Sequence, residues 1–281
     1  MIQGNARQRY TAGAVRYGLL ILGAAILILP FIYMLSTSAK PHTLLLEYPP
    51  KLIPDEPTVD NYVQAWSANN FGLYFLNSTL VAVATTFCTV LLSAMMAYSF
   101  ARFRYRGRSV LFGAVILGLT IPTMLLIIPQ FLLAKDLGLL NSLPGLIPFY
   151  VGTQLAFSTF LLRAFFERIP LELDEAMIID GAGPWRRFWS LALPLAKPAL
   201  ATSAIFTFLG SWDEFVWALT VINDVAQRTL PIGLALFQGQ HATSWGLVFA
   251  GSVIAVVPVI IVYIVFQRQI VSGLTSGALK S

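Results

Sequence analysis

Cysteine, histidine and charge are all scarce in this 281-residue chain, which has 1 cysteine, 2 histidines and 11% charged residues. The lone Cys88 excludes an intrachain disulfide and a thiolate metal site, and its place inside an apolar run reads as a small packed hydrophobe. There is no His-Glu-x-x-His pair, and His42 and His241 both fall on the side read below as outer, so a metalloprotease and a buried proton relay lack support. No metal site is expected. A Gly-x-x-x-x-Gly-Lys-Ser/Thr loop is also missing, which leaves no usual cradle for ATP phosphates. Energy from a nucleotide would have to arrive through another chain.

What the chain has is apolar length. Hydrophobic residues make up 57% of it and the mean hydropathy is +0.74, beyond what a soluble surface tolerates. The chain therefore reads as an all-α, polytopic membrane protein. A pI near 9.4 invites a nucleic-acid reading, but the basic residues flank the apolar runs and form no soluble face with interleaved aromatics. No nucleic acid is expected.

A helix crossing hydrocarbon needs about 20 residues with every backbone group satisfied internally. Six segments qualify, near Tyr17 to Ser36, Leu73 to Phe100, Val110 to Ala134, Ser142 to Leu162, Pro198 to Thr220 and Thr243 to Phe266. Lys40, Lys51, Lys135 and Arg228 fall on one side of these spans and the other 14 of the 18 lysines and arginines on the opposite side. The basic side is cytoplasmic by the positive-inside rule. Both termini, the Arg102 to Arg108 loop and the loop around Glu175 then face the cytoplasm, and each arginine reads as a topology and headgroup anchor. The organisation expected is a cytoplasmic segment 1–16, a six-span domain 17–266 and a cytoplasmic tail 267–281. Its cytoplasmic loop is 167–197 and its outer loops are 37–72, 135–141 and 221–242. The apolar run from Tyr17 is too long for a signal-peptide core and reads as a retained span. The Pro-rich stretch from Ala39 to about Asn70 reads as a loop of short turns.

The cytoplasmic loop is the most informative segment. Pro170 suits a first helical position, and Glu172, Asp174 and Glu175 put negative charge at the positive end of the helix dipole. The helix should end near Asp180, with Gly181 free to adopt the left-handed turn that closes it. Pro184 should start a second short helix carrying Trp185 to Leu191. Ala176, Met177, Ile179 and Ala182 make the surface small and apolar, as expected of a face covered by another chain. An amphipathic pair lying on the bilayer, with Trp185, Phe188 and Trp189 at the headgroups, is the competing reading.

The spacing Glu175-Ala176-Met177, three residues, Gly181, nine residues, Leu191-Ala192-Leu193-Pro194 resembles the signature loop of permease subunits in ATP-binding-cassette importers. Met177 and Leu191 replace an Ala and an Ile of that pattern, apolar for apolar. The likeness is closest to the smaller permease of carbohydrate importers, the maltose and glycerol-phosphate type. It extends to Asn77-Ser78-Thr79, Trp212-Asp213-Glu214-Phe215, Arg228-Thr229-Leu230-Pro231 and the tail from Gln267 to Lys280. The resemblance implies a type I importer fold and a non-enzymatic permease in a prokaryotic cell membrane. Its implied partners are a second homologous permease, two ATP-binding subunits and an extracytoplasmic binding protein, with membrane lipids around it. It implies no cofactor on this chain, ATP and Mg residing on the ATPase subunits. It assigns ATPase coupling to Glu175, Ala176, Met177, Asp180, Gly181, Ala182, Leu193 and Pro194.

Carboxylates inside a span are expensive and normally face a cavity or a partner. Asp213 and Glu214, with Trp212 and Trp217 and with Asn77 at the head of the second span, are therefore candidates for a sugar pathway. Aromatic faces and carboxylate acceptors suit a polyhydroxylated ring. A snorkelling acidic pair at the outer headgroups is the alternative. The resemblance assigns Gln238, Gly239, Gln240 and His241 to contact with the binding protein, against a plain solvated connector. An ion-coupled secondary transporter is the rival function. It would want an intramembrane ion site and an internal repeat, and neither is found.

Overall fold

The computed structural model describes residues 6–41, 51–67, 70–238 and 243–278, with side chains described from 13 to 267. Among these the secondary structure is helical, and β pairing is confined to one isolated bridge between Gln238 and Thr243. Four helices are long and apolar enough to cross a membrane, or six spans if each of two bent helix pairs counts as one. The chain divides into two compact units, 70–235 with 256–281, and 1–69 with 236–255.

The larger unit is built on α3 (Phe71–Arg102), α6 (Leu143–Phe166) and α10 (Lys197–Trp212), which pack on one another. Their facing residues are small: Ala82, Thr85, Thr89, Ser93 and Ala94 on α3, Ser158 and Thr159 on α6, and Thr202, Ser203 and Thr207 on α10 are all buried. Large apolar side chains such as Leu80 and Phe87 point outward instead. In lipid no hydrophobic force drives helices together, so close backbone approach and hydrogen bonds do the packing. Gln154 supplies two such bonds, its amide donating to the Thr207 carbonyl and the Ser211 hydroxyl at 3.2 Å each. A Cβ on Gly210 would meet that amide at 2.9 Å, so a larger residue there would displace the Gln154 side chain from these bonds.

Two of the expected spans are broken. α4 (Arg108–Leu117) and a 3-10 turn end at Thr120, and the chain bends by 96° before the Thr123–Leu126 turn and α5 (Ile127–Asp136). Pro122 causes this: it has no N–H to continue the helix and drives Ile121 to an extended ψ of 116°. The expected straight span from Val110 to Ala134 is thus a bent pair. The expected span from Pro198 to Thr220 also fails as one helix, because α10 stops at Trp212 and α11 (Val216–Val221) begins afresh after Asp213 to Phe215.

In the smaller unit, α1 (Ala6–Ser38) presents its apolar side chains outward, Leu27 being 73% exposed, as a lipid-facing helix would. The Pro-rich stretch is more ordered than a string of turns, for it contains α2 (Asp60–Ser67). Buried Asn61 holds α2 in place by donating to the carbonyls of Ser38 (2.9 Å) and Lys40 (2.7 Å). The last helix, α13 (Trp245–Ala278), starts in this unit. The side chains of the 268–281 tail, and Gly239, Gln240 and His241, lie outside the described residues.

Candidate functional site

After α6 the chain turns at buried Ile169 and enters α7 (Leu171–Ile179). Pro170 sits one position earlier than expected, as the residue flanking the helix, with ψ 135°. At the other end Gly181 has φ +77°, the Ala182 N–H donates to Met177 O (2.8 Å) and the Gly181 N–H to Ile178 O (3.0 Å). This crossed pair satisfies two carbonyls that the helix end would otherwise orphan, and the left-handed residue between them is cheapest as glycine.

α7 is pinned through one side chain. Asp174 is 5% exposed and pairs with Arg102 at the end of α3, Nε to Oδ2 3.1 Å. Arg102 also donates to the Ile169 carbonyl at 2.6 Å, and Arg187 reaches the other Asp174 oxygen at 3.6 Å. Arg102 and Arg187 are therefore buried ion-pair partners, correcting their reading as headgroup anchors. Arg163 departs from that reading too, lying 3.8 Å over the Phe112 ring while pairing with Glu167. With Asp174 turned inward, the rest of α7 faces out: Glu175, Ala176, Ile178 and Ile179 are exposed, Ile179 by 86%. Of the other expected coupling residues, Asp180, Gly181 and Pro194 are exposed, while Met177 and Leu193 are partly buried. Ala182 is buried, so it belongs under the turn rather than on its surface.

The second short helix is less regular than expected. α8 (Pro184–Arg187) opens with Pro184 in the first turn, widens into a π turn over Phe188–Ala192, and closes as α9 (Leu193–Leu195) before a 79° bend into α10. Phe188 is buried against Tyr98 of α3, ring centroids 5.3 Å apart, while Trp185 and Trp189 stay exposed. A π turn at a bend is a recurrent mark of a functional joint. The loop helices α7 and α8 thus grip α3 twice, through Asp174–Arg102 and through the packing of Phe188 on Tyr98.

At the far end of α10 the expected pathway residues separate. Glu214 accepts from the Trp217 N–H (2.7 Å), the Ala218 N–H (3.1 Å) and the Tyr150 hydroxyl (2.6 Å), so its carboxylate caps α11 and is no bare pathway charge. Buried Asn77 donates to the carbonyls of Ala226 and Arg228, 2.9 Å each, which makes it a staple for the following loop. Trp212 is buried against Phe75 and Phe208, and Trp217 against Phe149. Asp213 alone is exposed, at the C-terminal end of α10 where the helix dipole disfavours a carboxylate. Gln238 lies in the isolated bridge to Thr243, in the smaller unit. The segment read as one outer loop, 221–242, contains a further helix, α12 (Leu230–Leu236).

Residues 89–275 match the family model for the inner membrane component of binding-protein-dependent transport systems, and this match spans α7 to α9 and both breaks. The chain belongs to that permease family. The permease is 40% identical to the diacetylchitobiose uptake system permease protein NgcG of Streptomyces coelicolor, over 95% of this chain and 89% of that one. It is 36% identical to the trehalose transport system permease protein SugB of Mycobacterium tuberculosis, covering 93% and 94%. Among solved structures, a bacterial ABC transporter that imports the acidic polysaccharide alginate superposes with a TM-score of 0.82 at 26% identity, over 95% of this permease and 99% of that chain. The all-α, multi-pass importer-permease fold expected from the sequence is therefore the fold of this permease.

Reading the sequence for exposed chemistry missed Asp174, Arg102, Arg187 and Tyr98. Asp174 was taken as a dipole charge, which its place in the first turn of α7 also satisfies. A signal was present: Leu171, Leu173, Ile178 and Ile179 are apolar on the exposed side, and such an inverted helix needs a polar anchor on the other.

Proposed function

We infer that this chain is a membrane-spanning subunit of an ABC importer that brings a sugar or sugar derivative into the cell, driven by ATP hydrolysis on separate subunits. The observation that carries this is α7: a short helix with an outward apolar face, closed at Gly181 and anchored by Asp174, within the Glu175-Ala176-Met177 to Pro194 spacing. The uptake systems for diacetylchitobiose and trehalose among its relatives support the sugar. Its complex holds a second homologous permease, two ATPase subunits that bind ATP and Mg, and an extracytoplasmic binding protein met at Gln238 to His241. Both termini lie in the cytoplasm of a prokaryotic cell.

Closure of the ATPase pair displaces α7. The displacement passes through Asp174 to Arg102 on α3 and through Phe188 to the π turn and α10, and the permeases tilt as rigid bodies between inward- and outward-open states. Glu175, Ala176, Met177, Asp180, Gly181 and Pro194 form the docking surface, with Ala182 and Leu193 packing beneath it. Co-purification with the co-encoded ATPase, and uptake into proteoliposomes with and without ATP, test this reading. ATP-dependent uptake by a complex containing the ATPase is expected. Uptake that survives ATP depletion but stops with a proton uncoupler would replace it with the secondary transporter.

A further inference from the structure

Helix breaks inside lipid leave backbone groups without partners, so they persist where they line a cavity or are buried in protein. The two broken spans of this chain break at matching distances from their basic ends. A 10-residue helix plus a 3-residue turn precedes the first break, and a 16-residue helix the second, about 20 and 24 Å at 1.5 Å per residue. Both breaks open on one pocket. Thr123 and Met124 line it from the first, Glu214 and Trp217 from the second, and α6 closes it with Phe149 and Thr153. The pocket measures about 120 Å³, where one water needs roughly 10–15 Å³.

Its chemistry is that of a carbohydrate site. Phe149 and Trp217, ring centroids 4.8 Å apart, form an aromatic wall. Thr123, Thr153 and the Gln130 amide supply neutral donors and acceptors. Trp217 lends the pocket its ring, while its indole N–H is buried away from the cavity and has no acceptor among the described residues. The one charge is the Glu214 carboxylate, and none of the described lining residues is basic.

We propose that this pocket holds one neutral pyranose unit of the sugar in transit and rejects anionic sugars. The proposal rests on the importer reading above and adds to it a substrate class and a site on this subunit. Ring C–H faces pack on the aromatic wall, hydroxyls exchange hydrogen bonds with Thr123, Gln130 and Thr153, and a uronate, sulfonate or phosphate meets Glu214 with no counter-cation.

The single native cysteine makes the test clean. In a Cys88→Ser background, Thr153→Cys in the whole transporter is labelled with a maleimide in proteoliposomes, with N,N′-diacetylchitobiose, trehalose or glucuronate as probe. The neutral sugars are expected to slow labelling at least threefold and glucuronate to leave it unchanged. No protection by either neutral sugar, or equal protection by glucuronate, overturns the proposal. Gln130→Cys, half-buried on the opposite side, serves in the same way if the first variant fails to assemble. In parallel, Gln130→Leu should raise the KM for uptake about tenfold while ATP consumed per sugar is unchanged, and an unchanged KM counts against the site. Loss of ATP dependence in the parent complex would instead sink the importer reading, a result separable from both.

Discussion

Asp174–Glu175 and Asp213–Glu214 are the same dipeptide at the two ends of the larger unit, and the structure uses them in opposite order. At the α7 end the aspartate is buried between Arg102 and Arg187 and the glutamate is exposed. At the far end the glutamate is tied to Tyr150 and two backbone N–H groups, and the aspartate is exposed. On α7 successive side chains point about 100° apart, which sends one acid inward and one outward, while Asp213 and Glu214 are parted in the break between α10 and α11. The inward member fixes local structure, and the outward member is left for a partner or solute. Acidity therefore located the two regions, while only packing separates the structural acid from the functional one.

The strongest test of this division is to cut the inward acid on α7. Asp174→Leu leaves Arg102 and Arg187 buried without a counter-charge, at a cost of about 3–5 kcal/mol, and should abolish transport and lower the amount of assembled complex. Replacing Asp174 and Arg102 together by leucine removes the more buried orphaned charge and leaves Arg187 alone, and should restore part of the assembly, though not the transport. Recovery of both would show the ion pair to be a folding element with no part in coupling.

Next comes Gly181→Val, which forces a β-branched residue to φ +77° and should cost about 1–2 kcal/mol. ATPase activity is expected to persist while sugar moved per ATP falls at least fivefold. At the far end Asn77→Ala removes two hydrogen bonds to the loop, and a drop of about 1–3 kcal/mol is expected in thermal unfolding of the complex. The smallest effect is Asp213→Asn, which relieves an unfavourable charge at the end of α10 and should stabilise the complex by about 0.3–1 kcal/mol. Destabilisation by that change would mean Asp213 has an ion partner in the assembled transporter.

Most of the helical, membrane-spanning architecture was legible because apolar length is a property of the chain alone. The closing role of Gly181 was legible for the same reason: a helix end, a glycine and a proline three residues on have few solutions. The breaks at Pro122 and Asp213 were not, since an apolar run reads as one span until a single residue is asked to satisfy its backbone. The hydrogen bonds of Asn77 to Ala226 and Arg228, and of Glu214 to Tyr150, were not legible because those partners lie far along the chain. Glu214 also accepts from the Trp217 and Ala218 N–H groups, a structural use that the sequence offered close at hand.

The central claim is that α7 is a surface gripped by a separate ATPase. Site-specific cross-linking from Ala176→Cys in a Cys88→Ser background tests it most directly. The account predicts a covalent adduct with the ATPase subunit, formed in high yield and lost when Gly181→Trp is added. Labelling of lipid alone, in a complex that still transports its sugar, would contradict it.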